Sequence, residues 1–204
     1  MRLLIATTNK DKLREIGELL AGAPVTLLAL SAFPPTPEPE ETGATFEENA
    51  RLKALSYDER LGASLRKDDP SALVVAEDSG LAIDGLGGEP GVRSARFVRP
   101  DASYSERFAE IQRRLAGLPA AARRARFVCA LAAAREGRVV FETTGVVEGT
   151  IADAPAGHAG FGYDPIFFYP PYGATLAEVT EAEKLRVAHR GAAFRAFRAA
   201  LPTL

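Results

Sequence analysis

Along the chain, short continuous apolar runs alternate with longer stretches in which apolar residues recur at helical spacing. Residues 2–6, RLLIA, pass through TTN into KDKLREIGELLAG, where Leu13, Ile16, Leu19 and Leu20 share one helical face and Gly22 supplies a stop. This pattern predicts a strand, a turn and a helix. VTLLAL at 25–30 predicts a second strand, and the proline-rich PPTPEPEETG predicts an extended loop carrying Glu38, Glu40 and Glu41. Thr45 and Glu48 form a capping-box pattern, followed by Phe46, Ala50, Lys53, Ala54 and Tyr57 on a helix expected to end at Gly62.

SALVVAEDSGLAIDGLGG predicts an apolar strand, a break at Ser79-Gly80 and a second short apolar segment, with the irregular EPGVRSARF after it. A helix is expected from about Ser103 to Ala116, with Phe108, Ile111 and Leu115 aligned and Gly117-Leu118-Pro119 closing it. Two long apolar runs around Glu136-Gly137 predict a β-hairpin. The Gly-rich APAGHAGFGYDPIFFYPPYG predicts a loop with a short apolar stretch inside it. The chain then ends in helix, with Thr175/Glu178 and Thr180/Glu183 each offering a cap. There are no repeats and no break in composition, so a single domain spanning 1–204 is expected. Its fold class is α/β, with a mixed, partly antiparallel sheet flanked by helices.

Charge and cysteine usage narrow the function classes. The formal net charge is -2, from 25 basic and 27 acidic residues, which removes a bulk electrostatic case for binding nucleic acid or a membrane surface. A small anionic ligand needs only a local site and stays open. The single Cys129, in RFVCALAAA, excludes an internal disulfide and favours a reducing compartment. The first apolar run is too short for a signal peptide and no segment approaches a membrane span, so a soluble, cytoplasmic protein is expected.

Five constellations could carry chemistry. In TTNKDK, Thr7 to Lys12, a strand hands over to a helix N-terminus, where exposed amides attract anions. Lys10 and Lys12 lie where acidic residues would be expected, an unfavourable placement that a bound phosphate would reverse; the alternative is two solvated lysines. In VVAEDSGLAIDG, Glu77 and Asp78 end an apolar strand, where α/β proteins place ligand groups, and hard oxygen donors suit Mg²⁺ bridging to phosphates. Adjacent strand residues face opposite ways, so only one of the two is expected to be the principal group. Asp84, before Gly85, is expected to be a turn residue.

Glu41 alone is one loop carboxylate among several. Lys53 lies beside the apolar face of its helix, so it either snorkels or pairs with phosphate. In GFGYDP, glycines around an aromatic permit close approach to a flat ligand, and Asp164 can accept from ring N–H groups. In KLRVAHRG, Arg190 falls in the buried stripe if one helix runs through to Leu201, or at a new helix N-terminus if the helix breaks near Gly191. Either way it calls for a partner.

Taken in order, ATTNKDKLREI, EETGATFEENARLKA, AEDSGLAIDGLGGEPGVRSARF, GFGYDPIFF and EKLRVAHRG resemble the non-canonical purine nucleoside triphosphate pyrophosphatases, the RdgB and inosine triphosphate pyrophosphatase family. The resemblance runs nearly end to end. It implies an enzyme that hydrolyses ITP, dITP and XTP to the monophosphate and pyrophosphate with Mg²⁺, as a homodimer whose two lobes hold a nucleotide cleft between them.

By matching position, it implies that Thr7, Thr8, Asn9, Lys10, Asp11, Lys12 and Lys53 hold the triphosphate and that Glu41 and Asp78 serve the metal. Asp78 would also accept the proton of the attacking water, with Ser79 contacting substrate. Phe161, Gly162, Tyr163, Asp164, Lys184, His189 and Arg190 would form the base and nucleotide pocket, admitting a 6-oxo purine and rejecting adenine. Thr8 and Asp11 stand where that family commonly has glycines, and Ala188 where a Ser often precedes His-Arg. Two other classes compete with this reading: a non-hydrolytic nucleotide-binding module, and a phosphatase releasing orthophosphate through an aspartyl phosphate at Asp78.

Overall fold

The computed structural model describes all 204 residues. Seven strands form one mixed sheet, and their order across it is β2-β1-β3-β4-β5-β6-β7. They are β1 Arg2–Ile5, β2 Thr26–Ala29, β3 Leu73–Ile83, β4 Arg124–Arg135, β5 Arg138–Ile151, β6 Phe167–Tyr169 and β7 Ala174–Thr175. The five α-helices are α1 Lys10–Leu19, α2 Phe46–Leu65, α3 Tyr104–Leu115, α4 Glu181–Val187 and α5 His189–Ala200. β1 pairs in parallel with both β2 and β3, whereas β5–β6 and β6–β7 are antiparallel. Parallel strands are covered on both faces, which is why β1 and β3 read as continuous apolar runs.

Two compact units share these strands. The first comprises Met1–Asp78, Cys129–Gly145 and Arg190–Leu204; the second comprises Ser79–Val128 and Val146–His189. Within the first, strand alternation sorts the core into two clusters. Leu3, Ile5, Leu73, Val75, Cys129 and Leu131 pack with Ile16 of α1 and with Phe194 and Phe197 of α5. Leu4, Val74, Ala76, Ala130, Ala132 and Ala134 pack on the other face with Ala50, Ala54, Tyr57 and Leu61 of α2. The alanines of β4 leave room for the ring of Tyr57, which is 2% exposed. Burying each large apolar side chain in such a core is worth about 1.5–3 kcal/mol. In the second unit, Leu81, Ile83, Phe127, Val147 and Phe167 pack with Phe108, Ile111 and Leu115 of α3.

Most element starts follow their caps. The capping boxes at Thr45/Glu48 and Thr180/Glu183 are both formed, and a third at Ser103/Glu106 opens α3. The expected hairpin turns at Glu136 and Gly137, whose φ values of 54° and 73° suit a primed two-residue turn. Three expectations are corrected. The Ser79-Gly80 step is no break, because β3 runs through it without interruption. Gly80 instead marks a close approach: a Cβ there would lie 2.3 Å from Ser94 Oγ, the atom that accepts the Leu81 N–H. Second, α2 continues three residues past Gly62 to Leu65, which is itself in the core. Third, Thr175/Glu178 caps no helix; the Glu178 carboxylate accepts the Thr175 N–H beside strand β7.

Candidate active site

The period of two along β3 decides the chemistry at its acidic step. Glu77 has the parity of Leu73 and Val75, so it faces α1 and α5; Asp78 has the parity of Val74 and Ala76, so it faces α2. Both carboxylates are buried, and each meets a cation supplied by the helix on its own side.

On the α2 side, Lys53 Nζ lies 2.9 Å from Glu41 Oε1 and 3.2 Å from Asp78 Oδ1. Asn49, one helical turn before Lys53, donates from Nδ2 to Asp78 Oδ2 at 3.2 Å, and its Oδ1 accepts the Gly43 N–H at 2.8 Å. A single buried amide therefore ties the loop carrying Glu41 to Asp78. Burial pushes the Asp78 carboxyl above its ordinary value; Lys53 opposes this and the nearby Glu41 charge adds to it. Burial disfavours the Lys53 ammonium, but Asp78 and Glu41 outweigh it and hold its value above the usual lysine range.

On the α1/α5 side, Glu77 is gripped from three directions. Arg190 Nε and Nη2 each donate to it at 2.9 Å in a fork, and Lys12 Nζ lies 3.0 Å from Oε1. The Cys129 thiol also donates to Oε2, at 2.9 Å. Arg190 Nη1 reaches Glu15 Oε2 at 2.5 Å, so its guanidinium bridges two buried carboxylates. Burial opposes ionisation of Glu77, yet Arg190 and Lys12 more than offset it and hold the carboxyl well below its usual range. Burial, and then the Glu77 charge, push the Cys129 thiol well above its ordinary value. The helix does break before Arg190, at Ala188, whose ψ of 153° ends α4.

The turn before α1 is built by local hydrogen bonds. Asn9 caps the helix, its Oδ1 accepting the Asp11 and Lys12 N–H groups at 2.9 and 3.1 Å, and Thr7 Oγ1 accepts the Asn9 N–H. Thr8, Lys10 and Asp11 are exposed around this end, whereas Lys12 turns inward to Glu77.

In the second unit, Lys184 Nζ lies 2.6 Å from Asp164 Oδ2 and 4.7 Å from the centre of the Phe161 ring. The Phe161 N–H donates to the same carboxylate at 2.8 Å. Gly160 has φ +69°, and a Cβ there would fall 2.2 Å from Asp164 Oδ2, so glycine is required for this packing. Tyr163 points into the core and donates its hydroxyl to the Ser94 carbonyl at 2.8 Å. The His189 ring stacks on Phe127, with centroids 4.9 Å apart. Gly162 and Ser79 are half-buried.

The structure thus brings Glu41, Lys53 and Asp78 together, joins Lys12 to Arg190 through Glu77, and joins Phe161 to Asp164 and Lys184. Asp84 takes no part: it opens a 3₁₀ turn and pairs at the surface with Arg126 at 3.1 Å. Asn49 and Glu15 are participants that pattern reading passed over. Each carried a signal, because Asn49 lies four residues before Lys53 and Glu15 three after Lys12, on shared helical faces.

The donor set suits a hard divalent cation. Glu41 Oε1 and Asp78 Oδ1 converge on one ammonium, which stands in for a point cation, and Mg²⁺ takes one or two carboxylates with phosphate and water oxygens. No three His, Cys, Asp or Glu side chains form a ligand cluster.

Buried carboxylates paired with lysines in the middle of β3, just past its parallel pairing with β1, together with a capped helix N-terminus, define a candidate phosphate-handling site in an α/β protein. Residues 3–200 match the Ham1 family, and the chain belongs to it. It is 48% identical over 193 residues to a dITP/XTP pyrophosphatase of Gloeobacter violaceus, covering 95% of this chain and 90% of that one. It is 44% identical over 191 residues to the dITP/XTP pyrophosphatase of Geobacillus kaustophilus, covering 94% and 89%. A HAM1 protein structure from Coxiella burnetii superimposes with a TM-score of 0.88 at 34% identity, covering all of both chains.

Proposed function

We propose that this chain is a dITP/XTP pyrophosphatase, which hydrolyses non-canonical purine nucleoside triphosphates to the monophosphate and pyrophosphate. The observation that carries the reading is the convergence of Glu41 and Asp78 on one cationic position beside α2, in a chain that belongs to the Ham1 family along nearly its whole length. In this reading Glu41 and Asp78 hold Mg²⁺, which when bound neutralises charge on the phosphates and the leaving pyrophosphate.

The remaining work falls to the chain itself. Asp78, raised in basicity by burial, accepts the proton of the attacking water through its carboxylate. Lys53 and the Thr7 to Lys12 turn, where Thr8, Lys10 and Asp11 are exposed, take the triphosphate, and Ser79 contacts it beside Asp78. Phe161, Gly162, Tyr163, Asp164, Lys184, His189 and Arg190 serve the base end. There the Lys184 ammonium donates to a 6-oxo group, for which the 6-amino group of adenine is no substitute. Arg190 contributes through Glu77, with which its fork is already engaged. Residues 1–204 act as one catalytic domain in a cytoplasmic protein, and the resemblance implies a homodimer.

The deciding experiment is turnover of dITP, XTP, ITP, ATP and GTP with Mg²⁺, scored by the phosphate product. Pyrophosphate from dITP, XTP and ITP, with slow turnover of ATP and GTP, is expected. Orthophosphate as first product, or equal rates for ATP and ITP, would overturn the reading. Asp78→Asn is expected to abolish turnover nearly completely while nucleotide binding survives.

A further inference from the structure

The Lys53 ammonium does more than wait for phosphate. It lies between the two carboxylates assigned to the metal, 2.9 Å from Glu41 Oε1 and 3.2 Å from Asp78 Oδ1, and the lysine side chain is only 8% exposed. Asp78 Oδ2 accepts from Asn49 at 3.2 Å, and Oδ1 is the oxygen that Lys53 holds. A buried and a half-buried carboxylate that converge on one point repel one another unless a cation sits between them. Lys53 comes from the middle of a 20-residue helix whose capping box anchors its start, so its stem is fixed while its ammonium end can swing.

We infer that Lys53 is a resident counter-ion of the metal site, displaced from Glu41 and Asp78 when a divalent cation enters. This rests on the reading of Glu41 and Asp78 as the metal carboxylates. Metal and ammonium compete for the same oxygens, and a displaced ammonium beside an incoming triphosphate finds new acceptors on it. The free protein therefore binds divalent cations weakly and takes them up together with the phosphates that accommodate Lys53. Removing a positive charge that serves substrate should, on this account, improve metal binding.

The test is Mn²⁺ affinity of the full chain without nucleotide, by calorimetry or water-proton relaxation, for the unaltered protein, Lys53→Met, Glu41→Gln and the double variant. Lys53→Met is expected to bind Mn²⁺ at least about tenfold more tightly, the factor matching the lower end of measured couplings between close charge pairs. Glu41→Gln should remove that gain in the double variant. Lys53→Met binding no tighter than the unaltered protein, with Glu41→Gln still weakening it, would overturn the displacement and leave the metal assignment standing. Indifference to Glu41→Gln in both backgrounds would overturn the metal assignment, and the displacement with it.

A second measurement needs no variant. In the metal-free protein the Lys53 ammonium should show scalar couplings across its hydrogen bonds to both carboxylate carbons, lost at saturating Mg²⁺. Couplings that persist at saturation would show that the lysine stays in place, against the proposal.

Discussion

Replacing Arg190 by Met should be among the most damaging single changes in the chain. Arg190 is 2% exposed and makes two hydrogen bonds at 2.9 Å to Glu77 and one at 2.5 Å to Glu15. Methionine keeps much of the volume but leaves both carboxylates without their shared guanidinium, and only Lys12 remains as a charged partner for Glu77. Breaking a buried ion pair from one side costs about 3–5 kcal/mol. For a chain of this size, at about 2–4 °C per kcal/mol, the melting temperature should fall by about 6–20 °C.

Urea unfolding of Arg190→Met, Glu77→Gln and the double variant forms a cycle. The double variant should be less destabilised than the sum of the singles, by about 0.5–3 kcal/mol. Acid provides an independent check. The folded-state value of Glu77 lies below its unfolded value, so its contribution to stability is fully present above the unfolded carboxylate value of about 4.3 and is lost as pH falls towards the folded value. The stability gap between the unaltered protein and Glu77→Gln should therefore narrow on acidification below that point. An Arg190→Met variant with an unchanged melting temperature, or strictly additive single variants, would refute the clamp.

Two further changes and one labelling experiment probe distinct features. Asp58 is 2% exposed, pairs with Arg66 at 2.6 Å and accepts the Gly137 N–H at 2.8 Å, pinning the β4–β5 turn to α2. Asp58→Ala should cost about 1–3 kcal/mol in urea unfolding, because it removes a buried carboxylate that holds both the hairpin-turn N–H and a partly buried guanidinium. Cys129 should resist thiol reagents at mildly alkaline pH in the folded protein and react stoichiometrically in denaturant, since burial and Glu77 keep it a thiol; rapid labelling of the native state would contradict this. Asp84→Asn should leave turnover and melting temperature nearly unchanged, because its ion pair with Arg126 is solvent-exposed, and such pairs are worth about 0–1 kcal/mol.

Local structure was largely legible in the sequence, because its causes are local. The helical stripe of Leu13, Ile16 and Leu20, the Thr45/Glu48 and Thr180/Glu183 boxes and the Glu136-Gly137 turn depend on residues within one or two turns of each other. Strand alternation likewise separated Glu77 from Asp78 before any partner was known. The five ordered motifs carried the family resemblance. What pattern could not supply was which distant side chain each carboxylate would meet. Glu77 finds Arg190 across 113 residues and Asp78 finds Lys53 across 25, pairings set by which helix covers which face of the sheet. The same limit explains Gly80, which looks like a strand break in one dimension and is the gap that admits Ser94 in three. Burial then determined the electrostatics: with water excluded, nearby charges raise one carboxyl and lower its neighbour, an outcome that depends on the packed interior and not on the order of residues.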